Sequence, residues 1–138
     1  MKPVIYLFLL SNLFDSCSNE KNSLICNDFK SGVFESINQK TNLKFVIKRE
    51  ENSQDEYATN LKTNEVVVAN KTSKIKWIND CDYVLFVDTN KNKTNEHEHY
   101  INSKGGLKNK ILKIENNCAT VETTFESNKL VLKYCKVK

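Results

Sequence analysis

From Phe29 onward, apolar and polar residues alternate, and Asn, Asp, Ser and Gly interrupt the alternation at short intervals. Leu43, Phe45 and Ile47, for example, alternate with Lys44 and Lys48. A period of two is typical of half-buried strands, and frequent turn residues indicate short antiparallel ones. The pattern predicts strands at 29–37, 42–50, 54–61, 64–70, 73–79, 82–89, 108–115, 118–126 and 129–137.

The connections between these segments complete the predicted fold. Turns are expected at 38–41, 71–72 and 116–117, where the residues tolerate turn geometry. One long polar connection, Asn90 to Gly106, is predicted to contain a short helix inside 96–107. We expect an all-β fold: an antiparallel meander of about eight or nine strands that forms a small lipocalin-like barrel, since closure removes bare strand edges.

The first residues have a different pattern. Met1 and Lys2 precede an apolar stretch from Val4 to Phe14. About a dozen residues is too short to cross a bilayer, which needs about 20, but fits the core of a signal peptide. The alternative is a buried N-terminal element of the mature fold. We predict a signal peptide over 1–16 and an exported protein.

Cys17 follows directly after the small residue Ser16, an arrangement that resembles a bacterial lipobox. In such a sequence the cysteine forms a thioether to diacylglycerol and becomes the first residue. Phe14 and Asp15 depart from the usual pattern, and cleavage after Ser18 is the alternative. We predict a lipoprotein signal peptide, lipidation at Cys17 and attachment to a membrane through that lipid.

This prediction gives the chain three parts: the signal peptide 1–16, a polar tether 17–25 and a single β domain 26–138. The lipid would hold the domain on the inner or outer membrane, facing the periplasm or the cell surface. The alternative location is that of a secreted soluble protein. We expect a monomer.

Four cysteines remain in the β domain: Cys26, Cys81, Cys118 and Cys135. An even number in an exported domain predicts two disulfides. A hairpin turn at 126–127 pairs residues whose numbers sum to 253, so Cys118 falls opposite Cys135, within disulfide reach. Cys26 is then left to bond Cys81. A cysteine metal site is disfavoured because it needs clustered spacing such as CxxC.

Two histidines in the long polar connection are the weak metal candidates. On a strand, His97 and His99 would share a face, as chelation requires. Solvated side chains are the simpler interpretation of Glu96-His97-Glu98-His99, and no metal or cofactor is expected. The chain also lacks a GxSxG motif, and its three glycines form no phosphate-binding loop. These observations favour a non-enzymatic protein.

The formal net charge of +4 is concentrated in residues 104–138, which contain eight lysines against Glu115, Glu122 and Glu126. Nucleic-acid surfaces usually add arginine and exposed aromatic residues, and neither is clustered here. We therefore predict a solvated lysine face and no nucleic-acid partner. Phe34, Trp77 and Tyr83 are aromatic candidates either for core packing around Cys81 or for lining a ligand cavity.

Two segments carry a resemblance. Cys26-Asn27-Asp28-Phe29-Lys30-Ser31-Gly32-Val33-Phe34 follows the pattern CxxFKxGxF, and Trp77 to Leu85 follows WxxDCxYxL. The chain resembles a family of small exported Bacteroidetes-type lipoproteins of unknown function. Many of them have the product name "DNA topoisomerase IV", which does not fit a chain of this size. The resemblance also supports the Cys26–Cys81 bond.

Gly32-x-Phe34 is similar to the glycine-x-aromatic pair that closes the floor of lipocalin-like barrels. Taken together, these features lead us to expect a membrane-anchored binding protein of the periplasm or cell surface with an unknown small apolar ligand. The alternative is a protein–protein interaction module, such as an inhibitor or an envelope assembly factor, without a ligand cavity.

Overall fold

The computed structural model describes residues 23–137, so the predicted signal peptide and Cys17 lie outside the described part. Eight antiparallel strands pair in chain order and close into a barrel, as the sequence predicted. The strands are β1 (Gly32–Asn38), β2 (Leu43–Glu50), β3 (Ser53–Asn60), β4 (Val66–Trp77), β5 (Asp82–Val87), β6 (Leu107–Glu115), β7 (Cys118–Phe125) and β8 (Asn128–Lys136). A 3-10 helix, Cys26–Phe29, precedes β1, and helix α1 (Glu96–Ser103) connects β5 to β6.

The prediction of separate strands at 64–70 and 73–79 is wrong, as is the turn at 71–72. β4 is continuous, and Lys71 and Thr72 continue the ladder opposite Glu56 and Asp55. The Thr72 hydroxyl also donates a hydrogen bond to Asp55 Oδ1 at 2.6 Å. A register shift near Ala58 changes the phase of the apolar pattern, because a bulge adds residues to one strand without ending it.

The inward-facing residues form the core. Cross-strand partners share a face, and the row Lys136–Phe34–Ile47–Glu56 continues across four strands, from β8 through β1 and β2 to β3. Phe34 and Ile47 are each 1% exposed, so this row faces the interior. The buried core cluster consists of Phe29, Phe34, Ile47, Ile75, Tyr83, Ile111, Ala119 and Val121.

The two ends of the barrel differ, and we name them by what lies there. The floor is the end where β1 begins and where the 3-10 helix Cys26–Phe29 packs. The mouth is the opposite end, which carries α1 and the β7–β8 turn. Both predicted disulfides are confirmed and both lie near the floor: Cys26–Cys81 (S–S 2.00 Å) and Cys118–Cys135 (2.03 Å).

The barrel closes through a short seam between its first and last strands. β1 pairs with β8 only at Phe34–Lys136 and Glu35–Cys135, near the floor, whereas β8 pairs with β7 along its whole length. Nearer the mouth, Asn128–Tyr134 extends past the paired part of β1. Within residues 23–137, no helix has the length and apolar character needed to cross a membrane.

Candidate functional site

The floor is built around the single arginine of the chain, Arg49, which is 6% exposed. Its guanidinium carbon lies 4.7 Å from the ring centre of Tyr83, 5.3 Å from that of Phe34 and 5.9 Å from that of Trp77. These distances are within the range of cation–π attraction. The three aromatic candidates from the sequence therefore meet at the floor, where they pack against a buried cation.

Hydrogen bonds hold the Arg49 guanidinium in place. Nη1 donates to the Phe29 carbonyl at 2.9 Å, and Nη2 donates to the Tyr83 hydroxyl at 3.1 Å. Nε and Nη2 both donate to Gln54 Oε1, at 3.0 and 2.7 Å. A buried charge is costly unless it is hydrogen-bonded, and these contacts satisfy it.

A lysine joins the last strand to the floor. Lys136 Nζ donates to the Asp28 carbonyl at 2.6 Å and lies 5.9 Å from the ring centre of Phe34. Trp77 Nε1 donates to the Glu51 carbonyl at 2.8 Å, so its polar edge is also satisfied. The floor is therefore a packed and hydrogen-bonded closure of the barrel.

Glu56 is the inward-facing carboxylate above the floor. Its Oε2 accepts a hydrogen bond from Gln54 Nε2 at 3.3 Å, which places Gln54 between Glu56 and Arg49. Burial raises the pKa of Glu56, although the hydrogen bond from Gln54 and the charge of Arg49 act in the opposite direction. The Glu56 carboxylate is therefore poorly solvated for an ionised group.

The cation nearest to Glu56 in the strand register is bonded elsewhere. Lys71 lies directly opposite Glu56 in the β3–β4 ladder, but Lys71 Nζ pairs with Glu98 Oε1 of α1 at 2.5 Å. Among the described residues, the Glu56 carboxylate accepts one side-chain hydrogen bond, which the Gln54 amide donates. Glu56 consequently has an oxygen available for a further donor.

Further inward groups lie near this carboxylate. Tyr134 is opposite the buried Ala119 in the β7–β8 register, and burial together with the charge of Glu56 raises the pKa of its hydroxyl. Ser36 is 3% exposed, and it follows Phe34 on the inward face of β1. The wall around Glu56 thus combines hydroxyl groups with the apolar side chains of the core.

Exposure increases toward the mouth along β8. The inward-facing residues are half-buried at Tyr134 and Leu132, and Leu130 is 55% exposed although it pairs with the inward-facing Thr123. On β4, Val66, Val67 and Val68 are 63%, 50% and 43% exposed. The mouth therefore presents apolar side chains to solvent, a common feature of binding sites.

Helix α1 covers one side of the mouth. It begins with a capping box: Asn95 Oδ1 accepts from the Glu98 amide, and Glu98 Oε2 accepts from the Asn95 amide. Its chain then leaves through Gly105 and Gly106, both with positive φ, and a Cβ on Gly106 would lie 2.6 Å from the Leu85 carbonyl. Only glycine fits so close an approach.

Contacts with three parts of the barrel fix α1. Glu98 pairs with Lys71 of β4, and Asn102 exchanges two hydrogen bonds with the Val87 backbone at 3.0 and 2.9 Å. The Tyr100 hydroxyl donates to Glu126 Oε1 in the β7–β8 turn at 2.6 Å. The hydrogen bond from Lys71 lowers the pKa of Glu98, so this carboxylate is held ionised.

The short helix predicted in the long connection is confirmed, and it corrects the placement of the histidines. His97 and His99 lie on α1, where residues two apart point to different sides. The strand geometry that would have placed them on one face is wrong. Within residues 23–137, no group of three or more His, Cys, Asp and Glu side chains could hold a metal ion.

Sequence reasoning missed the inner polar group of Arg49, Gln54, Glu56 and Lys71. Arg49 continues the alternation of Leu43, Phe45 and Ile47, so parity alone would have directed it inward. The capping box of Asn95 and Glu98 was also readable as a helix start. The pairing of Lys71 with Glu98 depends on how α1 packs against the mouth of the barrel, and the local sequence pattern does not predict that packing.

The fold and site define a small β-barrel with a disulfide-bonded floor and an apolar mouth above an inward carboxylate. Comparison of the chain with models of known protein families, with curated proteins and with solved structures found no match.

Proposed function

We propose that this chain is a non-enzymatic binding protein of the cell envelope that holds a small apolar ligand at the mouth of its barrel. The observation that carries this proposal is the exposure of the inward-facing Leu130 above a tightly packed floor. Ligand sites are usually apolar concavities with a few polar groups. Leu130, Leu132 and the nearby Tyr134 and Glu56 provide that combination on the inner face.

Two features support export and anchoring. The disulfides Cys26–Cys81 and Cys118–Cys135 are typical of proteins from oxidising compartments. The apolar stretch before Cys17 fits a lipoprotein signal peptide. Replacing Cys17→Ser should abolish metabolic labelling with a fatty acid, and continued labelling would contradict the lipid anchor.

The ligand proposal is tested with two neighbouring residues of β8. Leu130 faces inward and Val131 outward, yet their exposures are nearly equal at 55% and 53%. Binding of the uncharged fluorescent probe N-phenyl-1-naphthylamine is titrated with the oxidised chain, in which Cys17→Ser is present throughout. Leu130→Asp should weaken binding at least about tenfold, since a charge would enter the apolar site, whereas Val131→Asp should stay within about twofold.

Two results would contradict the proposal: no probe binding by the parent chain, or equal losses in both variants. Equal losses would place the probe on the outer rim of the mouth as well, the surface that a protein partner would use. The outward-facing Val66 and Val131, 63% and 53% exposed, favour this second candidate.

A further inference from the structure

We propose that the ligand is amphipathic and cationic: its ammonium head pairs with Glu56 inside the barrel, and its apolar tail leads past Leu132 and Leu130 to the mouth. This inference rests on the proposed function and adds the chemical class of the ligand. It depends on where the inner charges of the barrel lie and on which of them already have partners.

Glu56 lies on the inner wall of the barrel. It belongs to the inward-facing row with Phe34 and Ile47, both 1% exposed, so its side chain points into the barrel. Ala58, two residues further along β3 toward the mouth, is fully buried. Glu56 therefore lies at the inner end of the apolar wall, where the head of a ligand inserted from the mouth would arrive.

Glu56 has few partners among the residues that the structure describes. Among the described residues it accepts one hydrogen bond, from the Gln54 amide at 3.3 Å, and forms no ion pair. Lys71, which faces it across the ladder, is bonded to Glu98. A half-buried carboxylate with one neutral donor gains most from a charged donor, because such hydrogen bonds are about twice as strong as neutral ones.

The buried cation of the floor is not available to an anionic head group. Arg49 is the cation buried in the floor, and its three nitrogens already donate to Phe29, Gln54 and Tyr83. The aromatic rings of Phe34, Trp77 and Tyr83 also surround it. An anion entering from the mouth would therefore meet the carboxylate of Glu56 before it could reach the guanidinium.

The experiment compares ligands that share one tail and differ in the head. Decylamine, decanol and decanoic acid compete at pH 8 with N-phenyl-1-naphthylamine for the oxidised chain. Decylamine should bind at least about tenfold more tightly than decanoate, the size expected of one charged hydrogen bond out of water. Glu56→Gln should remove this preference and leave probe and decanol affinity within about twofold.

The matched control is Glu35→Gln. Glu35 lies on the outward face of β1 and pairs with Lys44 at 3.4 Å, so this variant makes the same change in net charge outside the barrel. The control should keep the full preference for decylamine. An equal loss of preference in both variants would overturn the proposal, because it would show a general effect of charge.

Failure of the head-group assignment and failure of the proposed function give different results in this experiment. If the probe binds but Glu56→Gln keeps the preference for decylamine, the assignment of the head group is wrong and the ligand site at the mouth stands. If the probe does not bind the parent chain, the proposed function itself is wrong. Lysophosphatidylethanolamine, whose ammonium adjoins a phosphate, serves as a further competitor: competition at decylamine-like concentrations identifies a lipid head group as the source, and its absence identifies a simple amine.

Discussion

The two ends of this barrel are held together by different interactions. The floor contains both disulfides, the single arginine and the most deeply buried aromatic residues, Phe29, Phe34 and Tyr83. The mouth contains exposed apolar side chains, and α1 is held there by an ion pair and a few hydrogen bonds. The difference separates two tasks: the floor holds the strands together, so the mouth can leave apolar surface uncovered for the ligand binding that we propose.

The largest expected effect contrasts two inward-facing apolar residues. Phe34 is 1% exposed in the floor and Leu130 is 55% exposed at the mouth. Phe34→Ala should lower the free energy of unfolding by about 3–5 kcal/mol, because a cavity opens among packed rings. Leu130→Ala should cost less than about 1 kcal/mol. Urea denaturation of both variants measures this, and similar losses would show that the two ends are equally packed.

Removal of the disulfides should have the next largest effect. The Cys26–Cys81 bond closes a separation of 55 residues and Cys118–Cys135 one of 17. Loop-closure entropy predicts losses of about 4 and about 3 kcal/mol when each pair is replaced by alanine. Thermal unfolding of the two double variants gives the order. Probe binding at low temperature should survive in both, and its loss in either would mean that the floor and the mouth are not separable.

The smallest effect is a pH dependence confined to the mouth. The pKa of Glu98 is lowered from its ordinary value of 4.5, chiefly by the hydrogen bond from Lys71. A lowered carboxyl pKa stabilises the fold above 4.5, and this contribution disappears as the pH falls through the lowered value. We expect the protection factors of α1 amides, which correct for the intrinsic exchange rate, to fall about two- to fivefold there, as for a weak ion pair that is partly open to solvent.

The control for this prediction is Glu98→Gln, in which the protection factors of α1 should be low at every pH. Amides of β1 near Phe34 should not respond in either protein, because Glu98 belongs to α1 at the mouth. Acid-dependent exchange that appears equally in β1 and α1 would contradict the distinction between the two ends.

The sequence predicted the parts of the fold that local rules determine. The β7–β8 hairpin followed from its turn, because a fixed turn sets every cross-strand pair, including Cys118 with Cys135. The register shift near Ala58 was not visible, since extra residues within a strand look like a turn in the alternating pattern. That shift accounts for the false division of β4.

The candidate site was less accessible to sequence reasoning. Phe34, Trp77 and Tyr83 were found as aromatic candidates, and their convergence on Arg49 required the closed barrel. The role that we propose for Glu56 depends on Lys71, which pairs with Glu98 of α1 and not with Glu56. Glu56 and Glu98 compete for Lys71 through tertiary contacts between segments far apart in the chain. The alternation of apolar and polar residues along a strand carries no information about such contacts.

The entry of the chain into the barrel has a consequence for how a ligand would arrive. Leu24 packs against the core beside Cys26, so the chain enters at the floor. Seven Cα-to-Cα steps separate Cys17 from Leu24 and reach at most about 25 Å, which is no shorter than the height of a barrel of such tilted strands, roughly 20 Å. The proposed lipid at Cys17 would therefore tie the closed end to a bilayer without fixing which way the mouth faces, so a ligand could enter from the membrane surface as well as from the aqueous phase.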